Sequence, residues 1–377
     1  MHIFYILYKD DPSSGGSFRV AQGLIKGIKD LDCTYTICFV YGSKGVIGKD
    51  NPENCVYLDA IPRYGYLSFI KFLAIIIKKK PSIIHFIDPV YWVQVLLIFY
   101  RKKAILHVHG AFWNSPKAFS QRILWWISRK SIKRFVAITH EVKDNLVMHK
   151  FADADSIDVV YNSVDIEKTK NPAPNSKHQE NCINIPSGCK VIGSVGRVVG
   201  ARGFDDMIRL LQFLNPNWCV LIVGGGPYIE ELKNLSIDLN LSGRVYFSGQ
   251  VDNVVPYYEM MDIYGFFARY ESFGLALADA MLLKKPIFGL QGAGEYVDPR
   301  YPLITSRNST LLMRPDHLNQ WRREGDEILL QLASKIHDYV LNPDGYNAKC
   351  DYAYNHVISC FNLRLQAQEM IKVYRSL

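Results

Sequence analysis

The sequence predicts an α/β protein built as two doubly wound parallel-sheet domains, and three observations carry that prediction. Short β-branched and aromatic runs alternate with helix-period stretches from one end to the other, the pattern of a parallel sheet covered by helices. At 377 residues the chain is longer than one ordinary core accommodates. The alternation stops once, over 169–190, where Pro172, Pro174, Pro186 and several Asn and Ser replace any periodic apolar pattern. The domains are therefore expected at 1–168 and from 191 onward, with 169–190 as the linker.

In the first half, strands are expected at 2–8, 34–40, 55–58, 82–87, 104–108, 134–138 and 157–161. Met1 to Tyr8 is apolar, has no basic residues before it and stops at Lys9-Asp10-Asp11, so it reads as a first strand rather than a secretion signal. Ser13-Ser14-Gly15-Gly16-Ser17 comes next, then Phe18, Ala21, Leu24, Ile25 and Ile28 at helical spacing. A glycine loop thus opens a helix just after a strand. That is where parallel sheets bind ligands, and it is also where glycine simply turns a chain.

In the second half the expected strands are 191–195, 218–223, 244–248, 263–268, 286–290 and 310–313. Phe204, Met207, Ile208, Leu211 and Leu214 give one helix its buried face, and Ile229, Leu232, Leu235 and Leu239 another. Neither stripe is a cofactor box.

Composition narrows the class. Hydrophobic residues make up 49% and charged residues 21%, which excludes disorder and fibres. The eight cysteines have irregular spacing and no Cys-x-x-Cys pair, as expected of reduced thiols in a cytoplasmic protein without a zinc site. The net charge of +8 lies wholly in the first half: residues 1–168 hold 23 Lys and Arg against 15 Asp and Glu, whereas 169–377 hold 21 of each. Three basic clusters adjoin aromatic-rich apolar runs: Lys78-Lys79-Lys80, Arg101-Lys102-Lys103, and Arg129, Lys130, Lys133 and Arg134 after Trp125-Trp126. The runs are too short to cross a bilayer. They could lie on an anionic one, each basic residue contributing on the order of 1 kcal/mol, or be core elements with solvated ends. No nucleic-acid partner is expected.

The stretch from Arg269 to Pro286 joins two carboxylates, Glu271 and Asp279. If both stand on one helix, eight residues rise by about 12 Å and place them on roughly one face, a span suited to a sugar diphosphate. Ser272, Phe273 and Gly274 would then form the first turn, whose free N–H groups and dipole attract phosphate. The alternative is a capped helix that Glu271 merely decorates. Gly196-Arg197 and Arg202-Gly203 follow a strand, where two guanidiniums can grip a diphosphate at roughly 1.5–3 kcal/mol per charge-assisted bond, or simply be surface arginines. Gly224-Gly225-Gly226-Pro227 follows the next strand. Neither Gly-x-Gly-x-x-Gly nor a Gly-Lys-Ser/Thr phosphate loop is present, which disfavours a nicotinamide enzyme or an NTPase.

The order Gly196-Arg197, Arg202-Gly203, Gly224 to Pro227, Gly249, Glu271-Ser-Phe-Gly274, Asp279-Ala-Met281, Pro286 and Gly292-Ala-Gly-Glu295 resembles the donor domain of the retaining, family 4 type glycosyltransferases. In the first half Gly15-Gly16, His85, His109-Gly110, Thr139 and Asn162-Ser-Val-Asp165 stand where that family keeps its glycine loop, active-site His and Asn-Gly-Val-Asp turn. The resemblance implies the GT-B fold: two Rossmann-like domains facing across a cleft, acceptor on the first, donor on the second (191–355), and a terminal helix (356–377) packed back on the first.

By the same resemblance, Arg197 and Arg202 bind the nucleotide's diphosphate, the second position more often being Lys. Glu271 contacts hydroxyls of the donor sugar, and Ser272, Phe273, Gly274 and Leu275 meet the sugar and phosphates. Asp279 takes the place of a ribose-binding Glu and is one methylene shorter. His109 sits against the transferring sugar, while His85 and His107 read as structural strand residues facing away from the site. Gly15, Gly16, Gly196, Gly224 and Gly225 line the donor. The second half holds no Asp-x-Asp segment, so neither metal nor other cofactor is expected.

The implied activity is retaining transfer of a hexose-type sugar from a UDP- or GDP-sugar to a saccharide acceptor. A lipid-linked acceptor is suggested, in bacterial O-antigen or capsule synthesis, at the cytoplasmic face of the membrane. The alternatives are a non-hydrolysing nucleotide-sugar epimerase and a degenerate nucleotide-sugar-binding subunit.

Overall fold

The computed structural model describes residues 1–11, 16–29, 31, 33–42, 45–58, 65–90, 93–94, 103–110, 123, 126–170, 183–292, 303–315 and 318–377. They form two compact units: Met1–Ser163 together with Leu363–Leu377, and Val164–Asn362.

The first unit holds β1 (His2–Leu7), α1 (Gly16–Ile28), β2 (Thr34–Phe39), α2 (Val46–Asp50), β3 (Cys55–Tyr57), α3 (Gly65–Lys79), β4 (Ile83–Phe86), β5 (Lys103–Val108), β6 (Ile132–Ala137), α4 (His140–Met148) and β7 (Ile157–Val159). Its strands pair in the order β3-β2-β1-β4-β5-β6-β7, all parallel. Parallel strands covered on both faces are apolar without alternation, and Ile3, Phe4, Ile6 and Leu7 are all buried. Thr139 caps α4, its hydroxyl accepting from the Val142 N–H at 3.2 Å.

The second unit holds α5 (Ile166–Lys170), β8 (Lys190–Val195), α6 (Phe204–Leu210), β9 (Trp218–Val223), α7 (Ile229–Asp238), β10 (Val245–Gly249), α8 (Val255–Glu259), β11 (Ile263–Phe266), α9 (Leu275–Leu282), β12 (Ile287–Gly292), β13 (Thr310–Arg314), α10 (Leu318–Leu341) and α11 (Asp344–Cys360). The strand order is β10-β9-β8-β11-β12-β13, again parallel, so the order reverses between β8 and β11. Phe204, Met207, Ile208 and Leu211 pack into its core with Leu232, as their spacing predicts.

α12 (Leu363–Arg375) belongs to the first unit and packs on α1. The division falls at 163/164 and 362/363, where the sequence suggested 168 and 355. The reason is local: the Val164 N–H donates to the Phe361 carbonyl at 2.8 Å and Val164 bridges Asn362, so both chain segments join the second unit together. At the core of the first unit the Tyr374 hydroxyl lies 3.1 Å from the Tyr5 hydroxyl and 2.7 Å from His85 Nδ1, with all three side chains buried. Replacing Tyr374 with Phe strands two buried polar atoms. Tyr374→Phe is expected to cost about 1–3 kcal/mol, read as a lower urea midpoint with an unchanged slope.

Candidate functional site

Ligands of doubly wound sheets bind beyond the carboxyl ends of the strands where the order reverses. In the second unit those strands are β8 and β11, and the loops that leave them carry most of the residues singled out from sequence. The Gly196 N–H continues the ladder to the Val223 carbonyl at 2.9 Å, and the Gly224 N–H to Gly249 at 3.0 Å. Gly224 has φ +137°, and a Cβ there would stand 2.1 Å from the Gly196 carbonyl oxygen, so the two loops touch only because this position has no side chain. Gly225 follows, against Gln250.

Arg202 ends a short 3-10 turn, Gly200–Arg202, and its guanidinium forms an ion pair with Glu271 from the other loop. Partial burial draws the Arg202 pKa downward, the neighbouring Tyr264 phenol opposing. Tyr264 itself lies within electrostatic reach of both Arg202 and Asp279, and burial pushes its pKa up to about 12. A Cβ at Gly274 would lie 3.4 Å from Glu271, and one at Gly196 3.8 Å from Arg202 Nε. Gly196, Arg202, Glu271 and Gly274 therefore form one contiguous neighbourhood. Arg197 is exposed beside it, and its side chain has no hydrogen bond or ion pair among the described residues.

The structure corrects the helical geometry expected for Glu271. α9 begins at Leu275, so Glu271, Ser272 and Phe273 lie in the loop before it, and only Asp279 stands on the helix. Gly274, at φ +89°, is the N-cap: a left-handed residue turns the chain from the loop into the helix. The helix start has no side-chain cap and no acidic residue in its first turn, leaving its N–H groups and dipole open to an anion. The Ser272 hydroxyl donates to Tyr270 at 3.2 Å, Phe273 packs edge-on against Phe361 at 5.3 Å, and Asp279 is buried. Leu275 is half-buried. Gly15, Ala293, Gly294 and Glu295 lie outside the described residues, whereas Gly16 is the first residue of α1.

In the first unit the histidines depart from expectation. Residues two apart on a strand share a face, and the His107 and His109 rings stack at 4.6 Å, with His85 from β4 stacked on His107 at 5.4 Å. His85 and His107 are thus partners of His109 rather than residues of the opposite face. His109 Nε2 lies 3.1 Å from the Ile87 carbonyl, which can only accept, so Nε2 carries the proton and Nδ1 presents a lone pair with no partner among the described residues. Burial pushes the His109 pKa down to about 4 and His85 to about 3, and holds His107 well below its ordinary value, its two neighbours adding to the shift. Asp88, which sequence reasoning passed over, accepts from the Tyr8 N–H at 3.0 Å and ties β1 to β4; burial raises its pKa.

Residues 14–168 match Glycosyltransferase Family 4 and residues 176–298 match Glycosyl transferases group 1. The chain belongs to the family 4 type glycosyltransferases. It is similar to an uncharacterized glycosyltransferase of Haemophilus influenzae, at 24% identity over 73% of this chain and 76% of that one. It is also similar to the UDP-Gal:alpha-D-GlcNAc-diphosphoundecaprenol alpha-1,3-galactosyltransferase of Escherichia coli, at 24% identity over 46% of this chain and 47% of that enzyme. The alignment thus spans about half of that relative. Among solved structures, Anabaena HepE in complex with UDP, and with UDP-glucose, aligns over the whole of both chains at 17% identity and a TM-score of 0.75. The glycosyltransferase has the GT-B fold.

The three stacked imidazoles of the glycosyltransferase lower its stability in acid. Each is neutral when folded and titrates near pH 6.5 when unfolded, so below that pH the unfolded chain binds more protons and stability falls as pH drops. Each contributes a slope of about 1.4 kcal/mol per pH unit below pH 6. His107→Asn is expected to lower the proton uptake on unfolding by about one between pH 6 and 5, measured from urea midpoints across that range.

Proposed function

We propose that this glycosyltransferase moves a hexose-type sugar from a UDP- or GDP-sugar to a saccharide acceptor with retention of anomeric configuration. The observation that carries the reading is the Arg202–Glu271 pair set beside the open start of α9 at the point where the strand order reverses. As the bond from the anomeric carbon to the diphosphate breaks, both electrons pass to the phosphate oxygen. Arg202, Arg197 and the N–H groups after Gly274 meet that charge, with no metal ion required. Glu271 holds the sugar's hydroxyls and Asp279 the ribose. The acceptor hydroxyl attacks from the face the leaving group occupies and passes its proton to the departing diphosphate oxygen.

A lipid-linked acceptor in bacterial surface polysaccharide synthesis is supported by the E. coli relative, whose name states a diphosphoundecaprenol acceptor, and by the surface of the first unit. The outward face of α3 presents Ile70, Ala74 and Ile77 beside Lys71 and Lys78, with Lys79 and Lys80 at its end. Trp126 is 54% exposed, with Lys130 Nζ 4.4 Å over its ring. Two other basic residues serve the fold instead: Arg134 pairs with Asp158 at 3.0 Å, and Arg129 donates to the Lys150 carbonyl at 2.9 Å. No helix among the described residues is long and apolar enough to cross a membrane. We place the enzyme peripherally, on the anionic inner face of the cell membrane.

The product's anomeric proton is expected to keep the donor's configuration in NMR, and an inverted linkage ends the reading. Arg202→Ala lowers kcat by about 10²-fold, and wild-type turnover persists in EDTA. Vesicles with anionic lipid float the protein at low salt, and Ile70→Glu with Ile77→Glu abolishes that flotation.

A further inference from the structure

Behind the Arg202–Glu271 pair lies a second set of charges that the proposed transfer chemistry does not use. Arg269 leaves the loop after β11 and reaches the loop after β8. Its Nη1 donates to the Gly200 carbonyl at 2.7 Å and to Asp205 Oδ1 at 2.9 Å, and its Nη2 donates to Asp205 Oδ2 at 2.6 Å and Asp206 Oδ2 at 2.9 Å. The fork on Asp205 is bidentate, the geometry that only a guanidinium supplies. Asp206 is 1% exposed and is shared with Arg314, whose Nη2 also donates to the Phe267 carbonyl at 3.3 Å and whose guanidinium lies 5.2 Å from the Trp321 ring. Two arginines from separate strand ends thus converge on one buried carboxylate.

The backbone completes the clamp. The Ala201 carbonyl accepts from the Arg269 N–H at 2.8 Å and the Tyr270 N–H at 3.3 Å. Arg202 is the next residue on one side of that junction and Glu271 the next on the other. The relative position of the two side chains is therefore fixed one residue away from each, by bonds that never reach a ligand. Resting on the donor reading of this site, we infer that Arg269, clamped by Asp205 and Asp206, is a positioning residue that holds Arg202 and Glu271 in donor-binding register. The Arg269 side chain is 35% exposed, so the space it vacates on truncation is open to a small cation.

The test uses the full chain and the probes UDP and GDP, with affinity measured by calorimetry at a temperature where circular dichroism shows each variant folded. Wild type is expected to bind one of the two. Arg269→Ala is expected to bind it about tenfold or more weakly, and millimolar guanidinium, but not ammonium, is expected to restore affinity, a response that general destabilisation would not give. Arg269→Lys keeps the charge without the fork and is expected to fall between; it decides the matter should the alanine variant not fold. A folded Arg269→Ala or Arg269→Lys with wild-type affinity overturns the inference and leaves the donor reading standing. Wild type that binds neither nucleotide overturns the donor reading, and this inference with it.

Discussion

Neighbouring parallel strands end on the same side of their sheet, so whatever leaves β8 and β11 must meet just beyond it. Everything assigned to the second unit depends on that constraint. It brings Arg202 and Glu271 together across 69 positions of sequence and sets Gly224 against Gly196. The site needs no dedicated scaffold of its own, because the hydrogen-bond ladder of the sheet aims the loops. What the ladder cannot do is fix loop geometry to a few tenths of an ångström, and side-chain bonds to loop carbonyls supply that precision.

The first unit applies the same topology to a different chemical problem. Its carboxyl edge carries imidazoles rather than guanidiniums, stacked from β4 to β5 and backed by the Tyr374 hydroxyl from α12. A charged imidazole in such a place would be costly to desolvate, so the stack is kept neutral, and a neutral ring can both donate and accept. The acceptor atom that remains on His109 follows from the Ile87 carbonyl claiming the other nitrogen.

Much of this was legible in the chain. The strands stood out because doubly covered parallel strands are unbroken runs of Ile, Val, Leu and Phe, and the glycine loops because they sit at the ends of those runs. The start of α9 was misplaced because an acidic residue and a serine ahead of the apolar run from Leu275 to Leu282 also read as a helix's first turn, whereas the left-handed Gly274 makes Leu275 the first helical residue. The His107–His109 half of the stack follows from residues two apart on a strand sharing a face, whereas His85 joins it only through the register between β4 and β5. The Arg269 clamp was invisible for a similar reason: its partners lie more than sixty positions away, and an Asp-Asp pair at the start of a helix reads as a favourable charge on its dipole.

The path of the chain has a temporal consequence. Tyr5 and His85 are made early, yet their partner Tyr374 lies beyond the whole of the second unit, about 200 residues of it. At ordinary ribosomal speeds that delay lasts roughly 10–40 s, long enough for the inserted unit to fold while the earlier one still lacks its closing helix. Nascent chains therefore pass through a stage in which the second unit is complete while the first still lacks α12.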